Sequence, residues 1–554
     1  MPSADVLFTG GKVYTFNWPD PDADGRPSAS APHSATGWQP DADTIAVRGD
    51  RIIFVGLRTD AEVYLSRNTR VIDLHGATVV PGLIESHAHL ANYGASLERV
   101  NLVGVPTEEE AVARVVARAA TTPKGEWIVG WGWDEGAWTT RLPTMKLLSE
   151  RVPDHPVVLH GLHTFAVWGN RLAFERAGIT DKTPSPQGGE IKKDASGKPT
   201  GVLLNNAGSL LDKAVPQPTP IQLVNRVAKA LGSLLLNGYT AVDEAGADSA
   251  LITALEELDR SNRLVVPVYA MLSARDTALV DRWRRNDPGP AAQRLTIRSV
   301  KAHYDGAMGS RGAYFLEPYA DRPDTSGIGG EKYGFDAERT AAMMHRGFQV
   351  SIHAIGDRAN REVLDFFQSV LSESPTARET RPRIEHAQVL AQSDVARFAA
   401  LGVVASMQPS HAVEDMAWAE ARIGPERARL AYAWRSLRRA GARLAFNSDL
   451  PATDSNIFYG LHSAVTRTDK AGLPAGGWHP EQAVTIEEAL RGWTSWAAYA
   501  NFTEQDAGTI SPGRLANLTV MDFDPLQIGE KAPAQLLNGH IVMTVIRGQA
   551  VPNK

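Results

Sequence analysis

The chain has 554 residues, 43% apolar and 22% charged, enough to bury a large core in one big domain plus a smaller one, or in two or three domains. A net charge of −6 and a sequence pI near 6.2, without a long Lys/Arg block, argue against nucleic acid as a partner. Cysteine is absent, which excludes disulfides, thiolate metal ligands and a Cys nucleophile, so a metal would sit on His, carboxylate or a modified side chain.

The first pattern in the chain, "ADVLFTGGKVYTF", alternates like a strand, and "TIAVRGDRIIFVG" and "TRVIDLHGATVV" repeat it with Gly or Asp turns. No basic segment followed by an apolar one opens the sequence, and no apolar run approaches the ~18 residues of a membrane span. A cytoplasmic protein without a membrane partner is therefore expected. From Asn17 to Asp43 a Pro-, Asp-, Ser- and Ala-rich stretch has too few apolar residues to pack and is expected to be an exposed loop.

From Val80 to about Thr503 strand-like runs alternate with helical ones. The runs are "GLIESHAHL", "TAVDEAG", "LVVPVYAML", "LTIRSVKAHYDG", "FQVSIHAIGD", "RIEHAQVL", "VVASMQPSH" and "RLAFNSDLP", with amphipathic segments such as "REVLDFFQSVL" and "SDVARFAALG" between the later ones. This repeat predicts an α/β fold, a (β/α)8 TIM barrel over residues 81–504. About 150 residues separate the first run from the second, too many for a loop, and read as an insert subdomain over about 102–235, placed to cover the barrel mouth. Two strand patterns close the chain, "LANLTVMDFDP" and "IVMTVIRGQAVPN".

Chemistry-bearing residues fall at the C-terminal ends of the runs, where barrel active sites are built. "PGLIESHAHL" ends in His87 and His89, which share one face of an extended strand. Lys301 lies in the fourth run, His353 in the fifth, His386 in the sixth and Asp449 in the eighth. A single strand-end His more often makes a hydrogen bond than ligates a metal; six such residues in one layer point to a metal site.

This constellation resembles the metal-dependent amidohydrolase superfamily, and within it the amidohydrolase-3 branch with the YtcJ-like proteins and N-substituted formamide deformylases. The stretches that carry the likeness include "PGLIESHAHL", "GWGWDEGAW", "VKAHYDGAMGSRGAYFLEPY", "IHAIGDRAN", "RIEHAQV", "FNSDLP" and "GTISPGRLANLTVMD". The resemblance implies a composite β-sandwich domain from residues 1–80 and 505–554. It implies two Zn2+ per subunit, with Mn2+, Fe2+ or Co2+ as substitutes. His87 and His89 would hold the buried ion, His353 and His386 the exposed one, and Lys301 would bridge both as a CO2-derived carbamate. An ammonium beside two cations is driven to lose its proton, which frees the amine for CO2; the alternative is a Lys301 ammonium paired with Asp305 or Asp449. Asp449 would ligate the buried ion and act as general base toward a metal-bound hydroxide.

One departure is Glu85, where the family usually has Asp; on the face of His87 and His89, it is expected to stand behind an imidazole and orient it, or else to fill space at the barrel floor. His163 in the insert and His411 in "QPSH" are candidate substrate contacts. Arg311 would anchor a loop over the site or pair with Glu317, and Asp357 and Arg358 read as a helix cap and an ion-pair partner. Of Trp131, Trp133 and Trp138, Trp133 is carried forward as a candidate pocket wall, with core packing the alternative. The expected function is metal-dependent hydrolysis of a non-peptide C–N bond in a small molecule: amide, carbamate, formamide or cyclic amide. Alternatives are an esterase or lactonase, a deaminase, which Lys301 argues against, and a non-catalytic oligomeric scaffold on the same fold. Oligomeric state is open, with a symmetric homo-oligomer the common alternative to a monomer.

Overall fold

Strand-like alternation becomes a ring of parallel strands in the computed structural model, which describes residues 3–134, 142–162 and 166–553. Among the described residues the barrel strands are β1 (Leu83–Ala88), β2 (Tyr239–Ala247), β3 (Val268–Ser273), β4 (Leu295–His303), β5 (Gln349–Ala354), β6 (Arg383–His386), β7 (Val404–Met407) and β8 (Arg443–Phe446). They pair in sequence order, each parallel to the next. The seam between β8 and β1 is drawn together by Ser86 Oγ, which donates to the Phe446 carbonyl at 3.0 Å, and by the His89 N–H, which donates to the Leu450 carbonyl at 2.9 Å. All eight runs read from the sequence become barrel strands.

The helices follow the same local logic. Asp357–Glu373 buries Ala359, Val363, Leu364, Phe367 and Val370, an i, i+3/i+4 stripe, and Ser249–Arg260 starts where Asp248 accepts the Leu251 N–H at 2.9 Å. Phe367 is fully buried, so its truncation to alanine costs ~3–5 kcal/mol.

Both termini build one sandwich. Thr78–Pro81 pairs with Leu518–Met521 in a five-stranded sheet, and Phe8, Ile45, Val47, Val79, Leu518, Val520 and Val545 fill one core with the four-stranded sheet of residues 6–9, 44–48, 51–56 and 70–73. The residue 17–43 segment is largely exposed and irregular, as expected of a loop, but it packs at several points where no packing was expected. Trp18 and Trp38 are buried, the Trp18 indole donates to Glu487 at 2.8 Å, Arg491 donates to the Trp18 carbonyl at 2.9 Å, and Arg435 donates to the Ala23 carbonyl at 3.0 Å. Buried arginines satisfy a backbone that lacks apolar partners of its own.

Residues 94–222 form a second compact unit around a six-stranded sheet, and residues 1–93 with 223–554 form the first. The helix Pro220–Leu236, inside the insert on sequence grounds, thus belongs mainly to the barrel unit. No helix among the described residues is long and apolar enough to cross a membrane.

Candidate metal centre

β1 delivers His87, and the residue just past its end is His89, with ring centroids 5.4 Å apart. The turn after β8 brings Asp449 to them: its Oδ1 lies 3.2 Å from His89 Nε2 and 3.5 Å from His87 Nε2, and no hydrogen-bond partner claims it. β4 sends Lys301 Nζ to 3.2 Å from His87 Nε2, and the Lys301 side chain is buried. The His386 ring lies 4.5 Å from that of His353 and 5.3 Å from that of His87. The six residues named from the strand ends therefore meet at one end of one barrel.

The donor set fits a divalent cation. Bonds of ~2.1 Å to a tetrahedral ion separate neighbouring ligand atoms by about 3.4 Å, the spacing seen around Asp449 Oδ1. Ligand atoms of His87, His89 and Asp449 lie within 4.8 Å of one another, as do those of His386, His411 and Asp449. The second group brings in His411, which stands not on β7 but in the first turn of the helix Pro409–Ile423, its ring parallel to that of His386 at 6.2 Å.

Two of these residues sit in the left-handed backbone region, His386 at φ 75° and Asp449 at φ 52°. Non-glycine residues there cost ~1–3 kcal/mol each, and strain of this kind concentrates where a side chain must be aimed. Burial also sets the charges. It lowers His87 to about 4 and takes His353 and His386 well below the ordinary imidazole range, leaving neutral rings that can ligate. Burial lowers Lys301 to about 8, toward the free amine. Burial opposes charge on Asp449 and His89 alike, yet their contact raises His89 and helps hold Asp449 well below the usual carboxylate range.

Several expectations need correcting. Glu85 touches neither imidazole ring; it accepts the Ser448 N–H at 3.0 Å and the Ser448 hydroxyl at 2.8 Å, bracing the turn that carries Asp449. Trp133 is fully buried, donates to the Leu159 carbonyl at 2.9 Å and packs on Trp168 in the core of the insert, so it offers no pocket wall. Arg311 pairs with Asp321, at 3.1 and 2.7 Å, rather than with Glu317. Asp357 opens its helix without capping it and accepts the Leu316 N–H at 2.8 Å, while Arg358 pairs with Glu362 at 2.9 Å. His163 and Trp138 lie outside the described residues. The Lys301 contact is His87, not Asp305 or Asp449.

Sequence reasoning missed His303, whose ring stacks on that of His353 at 5.4 Å. The signal was available, since His303 follows Lys301 by two positions and shares its face of β4. Asp305, named from the sequence only as a partner for Lys301, instead accepts the Ile355 and Gly356 N–H groups at 3.0 and 2.9 Å and lies 3.4 Å from His353 Nε2; Glu385 and Gln408, which stand behind two of the imidazoles, were missed as well.

A family model described as the amidohydrolase family matches residues 70–552. Protein LONG AFTER FAR-RED 3 from Arabidopsis thaliana is 33% identical over 535 residues, covering 94% of this chain and 87% of the relative. N-substituted formamide deformylase from Arthrobacter pascens is 29% identical over 526 residues, covering 90% and 94%. An uncharacterized metal-dependent hydrolase from Pyrococcus furiosus has a similar solved structure, with a TM-score of 0.73 at 28% identity over 94% of this chain and 99% of that one.

Proposed function

Because this chain belongs to the amidohydrolase family and is a hydrolase of C–N bonds other than peptide bonds, we propose that it cleaves an amide of a small molecule, with N-substituted formamides the first class to examine and carbamates and cyclic amides next. The observation that carries this reading is the bare Asp449 Oδ1, held between the Nε2 atoms of His87 and His89.

His87, His89 and Asp449 would hold one divalent cation; His353, His386 and a carbamate on Lys301 would hold a second and link the two. Zn2+ suits imidazole and carboxylate donors, and a bound cation acidifies water and polarises a carbonyl. The rest falls to the chain. Asp449 takes the proton of the attacking water and returns it to the departing amine, whose nitrogen must leave protonated. Lys301, buried and poised toward the free amine, adds CO2 through its lone pair and releases one proton, which gives the carbamate anion. His411, over His386, is the side chain that would meet the substrate carbonyl as negative charge grows on its oxygen.

The test is elemental analysis of the purified protein followed by assay of the metal-loaded form on N-substituted formamides, aryl amides, carbamates and esters. Hydrolysis of the C–N substrates supports the proposal. Exclusive ester or lactone cleavage, or ammonia release from an amino-heterocycle, replaces it with one of those readings. A folded protein that takes up no cation indicates a non-catalytic scaffold.

A further inference from the structure

We propose that Glu385 and Gln408 are positioning residues that fix His87 and His386 in one tautomer and grade them as metal donors, the His87 position being the tighter. The inference rests on the two-cation reading above and concerns how the chain prepares those positions.

His87 Nδ1 lies 2.6 Å from Glu385 Oε2, with both side chains fully buried. A carboxylate gripped by a guanidinium only accepts, so Nδ1 carries the ring proton and Nε2 keeps its lone pair, facing Lys301 Nζ at 3.2 Å. Arg383 holds Glu385 in two-pronged fashion, Nε to Oε1 at 2.8 Å and Nη2 to Oε2 at 3.2 Å, the geometry of an ionised carboxylate. Arg383 also donates to Asp243 at 3.0 Å, to the Ser86 carbonyl at 2.8 Å and to Ser406 Oγ at 3.0 Å.

The same chain of contacts ends on the other histidine. Asn447 Nδ2 donates to Ser406 Oγ at 3.0 Å, and Gln408 Nε2 donates to Asn447 Oδ1 at 2.7 Å. The Gln408 amide oxygen is thereby turned to His386 Nδ1, 2.9 Å away, and fixes that ring as the Nδ1–H tautomer too. The two rings differ in what stands behind them: a carboxylate for His87, a neutral amide for His386. A charged acceptor makes a hydrogen bond roughly twice as strong and a more basic imidazole, and loss of such a partner typically weakens metal binding 10–100-fold.

The experiment strips Zn2+ from the full-length protein with chelators of rising strength and counts the equivalents that remain. Wild type is expected to release two equivalents at distinct strengths. Glu385→Gln keeps an acceptor for Nδ1, and Arg383 keeps Asp243, so the variant should fold and lose ~10–100-fold in the tight equivalent alone. Gln408→Glu should tighten the loose one. Nitrogen-15 histidine spectra of the metal-free protein should show both rings protonated at Nδ1. Equal release of both equivalents, a single bound equivalent, weakening of the loose equivalent by Glu385→Gln, or a His87 protonated at Nε2 would overturn the inference. Absence of any bound Zn2+ removes it together with the hydrolase reading. Graded binding without hydrolysis of any C–N substrate removes only the function.

Discussion

Glu85 grips Ser448 across the seam where β8 meets β1, taking its main-chain N–H at 3.0 Å and its hydroxyl at 2.8 Å. Asp449 is the next residue, so this grip sets where the proposed proton carrier stands. Glu85→Ala removes the acceptor of the Ser448 N–H and hydroxyl and of the His87 N–H, at ~1–3 kcal/mol for each buried donor left unpaired. A lower Tm and weaker cation retention are expected together, measured by thermal denaturation and elemental analysis. Unchanged retention in a folded variant would show that Asp449 is placed by other contacts.

Glu85 also gives a pH dependence. Burial raises it from 4.5 to about 8, so between these values the unfolded chain has released a proton that the folded chain keeps. Its contribution is fully present below pH 4.5, falls as pH rises, and levels off above about 8. In the metal-free protein, wild type should lose stability across this window more steeply than Glu85→Gln, by urea midpoints at each pH. Parallel slopes would refute it.

Asp449→Asn keeps the shape of the side chain and removes its basicity. Turnover should fall ~10²–10⁴-fold while much of the cation stays bound. Near-native kcat would take Asp449 out of the proton path.

Lys301→Ala removes the amine that adds CO2. Activity should vanish, stay lost in bicarbonate and return in part with short carboxylic acids, which can bridge two cations. Full activity of Lys301→Ala would rule out the bridging carbamate.

Arg491 is almost fully buried and holds the Trp18 carbonyl at 2.9 Å, Asp20 at 3.0 Å and Glu487 at 2.9 Å. Arg491→Ala strands the buried Glu487 and should cost ~3–5 kcal/mol in chemical denaturation. Proteolytic cleavage between residues 17 and 43 should accelerate, with kcat per folded molecule little changed. Unaltered proteolysis would mean that Arg435, with Arg438, which donates to the Pro21 carbonyl at 3.0 Å, suffices to hold the segment.

The barrel was legible because each strand is an apolar run that ends in a polar residue, a pattern local enough to survive without knowledge of contacts. The candidate metal ligands were legible for the same reason: His87, His353 and His386 each lie at the end of such a run. Glu385 and Gln408 were not, although both neighbour noticed residues, because their roles are defined by rings on other strands, 298 residues away for Glu385 and 22 for Gln408. The 17–43 segment misled because local composition counts apolar residues, whereas its partners are guanidinium groups more than 400 positions on, Arg435 reaching Ala23 across 412. Trp133 failed differently. Core packing was the default for at least two of the three tryptophans, but nothing local tells which indole is the exception, and the packed Trp168 places Trp133 in the core.

The pairing of Thr78–Pro81 with Leu518–Met521 bears on how the molecule is made. Thr78–Pro81 runs almost directly into β1, which carries His87 and leads to His89, yet its neighbour is synthesised some 440 residues later. During translation the strand that leads into the candidate metal centre therefore waits with an open hydrogen-bonding edge until Leu518–Met521 has been made, and a chain cut short before Leu518 would expose that edge to other chains.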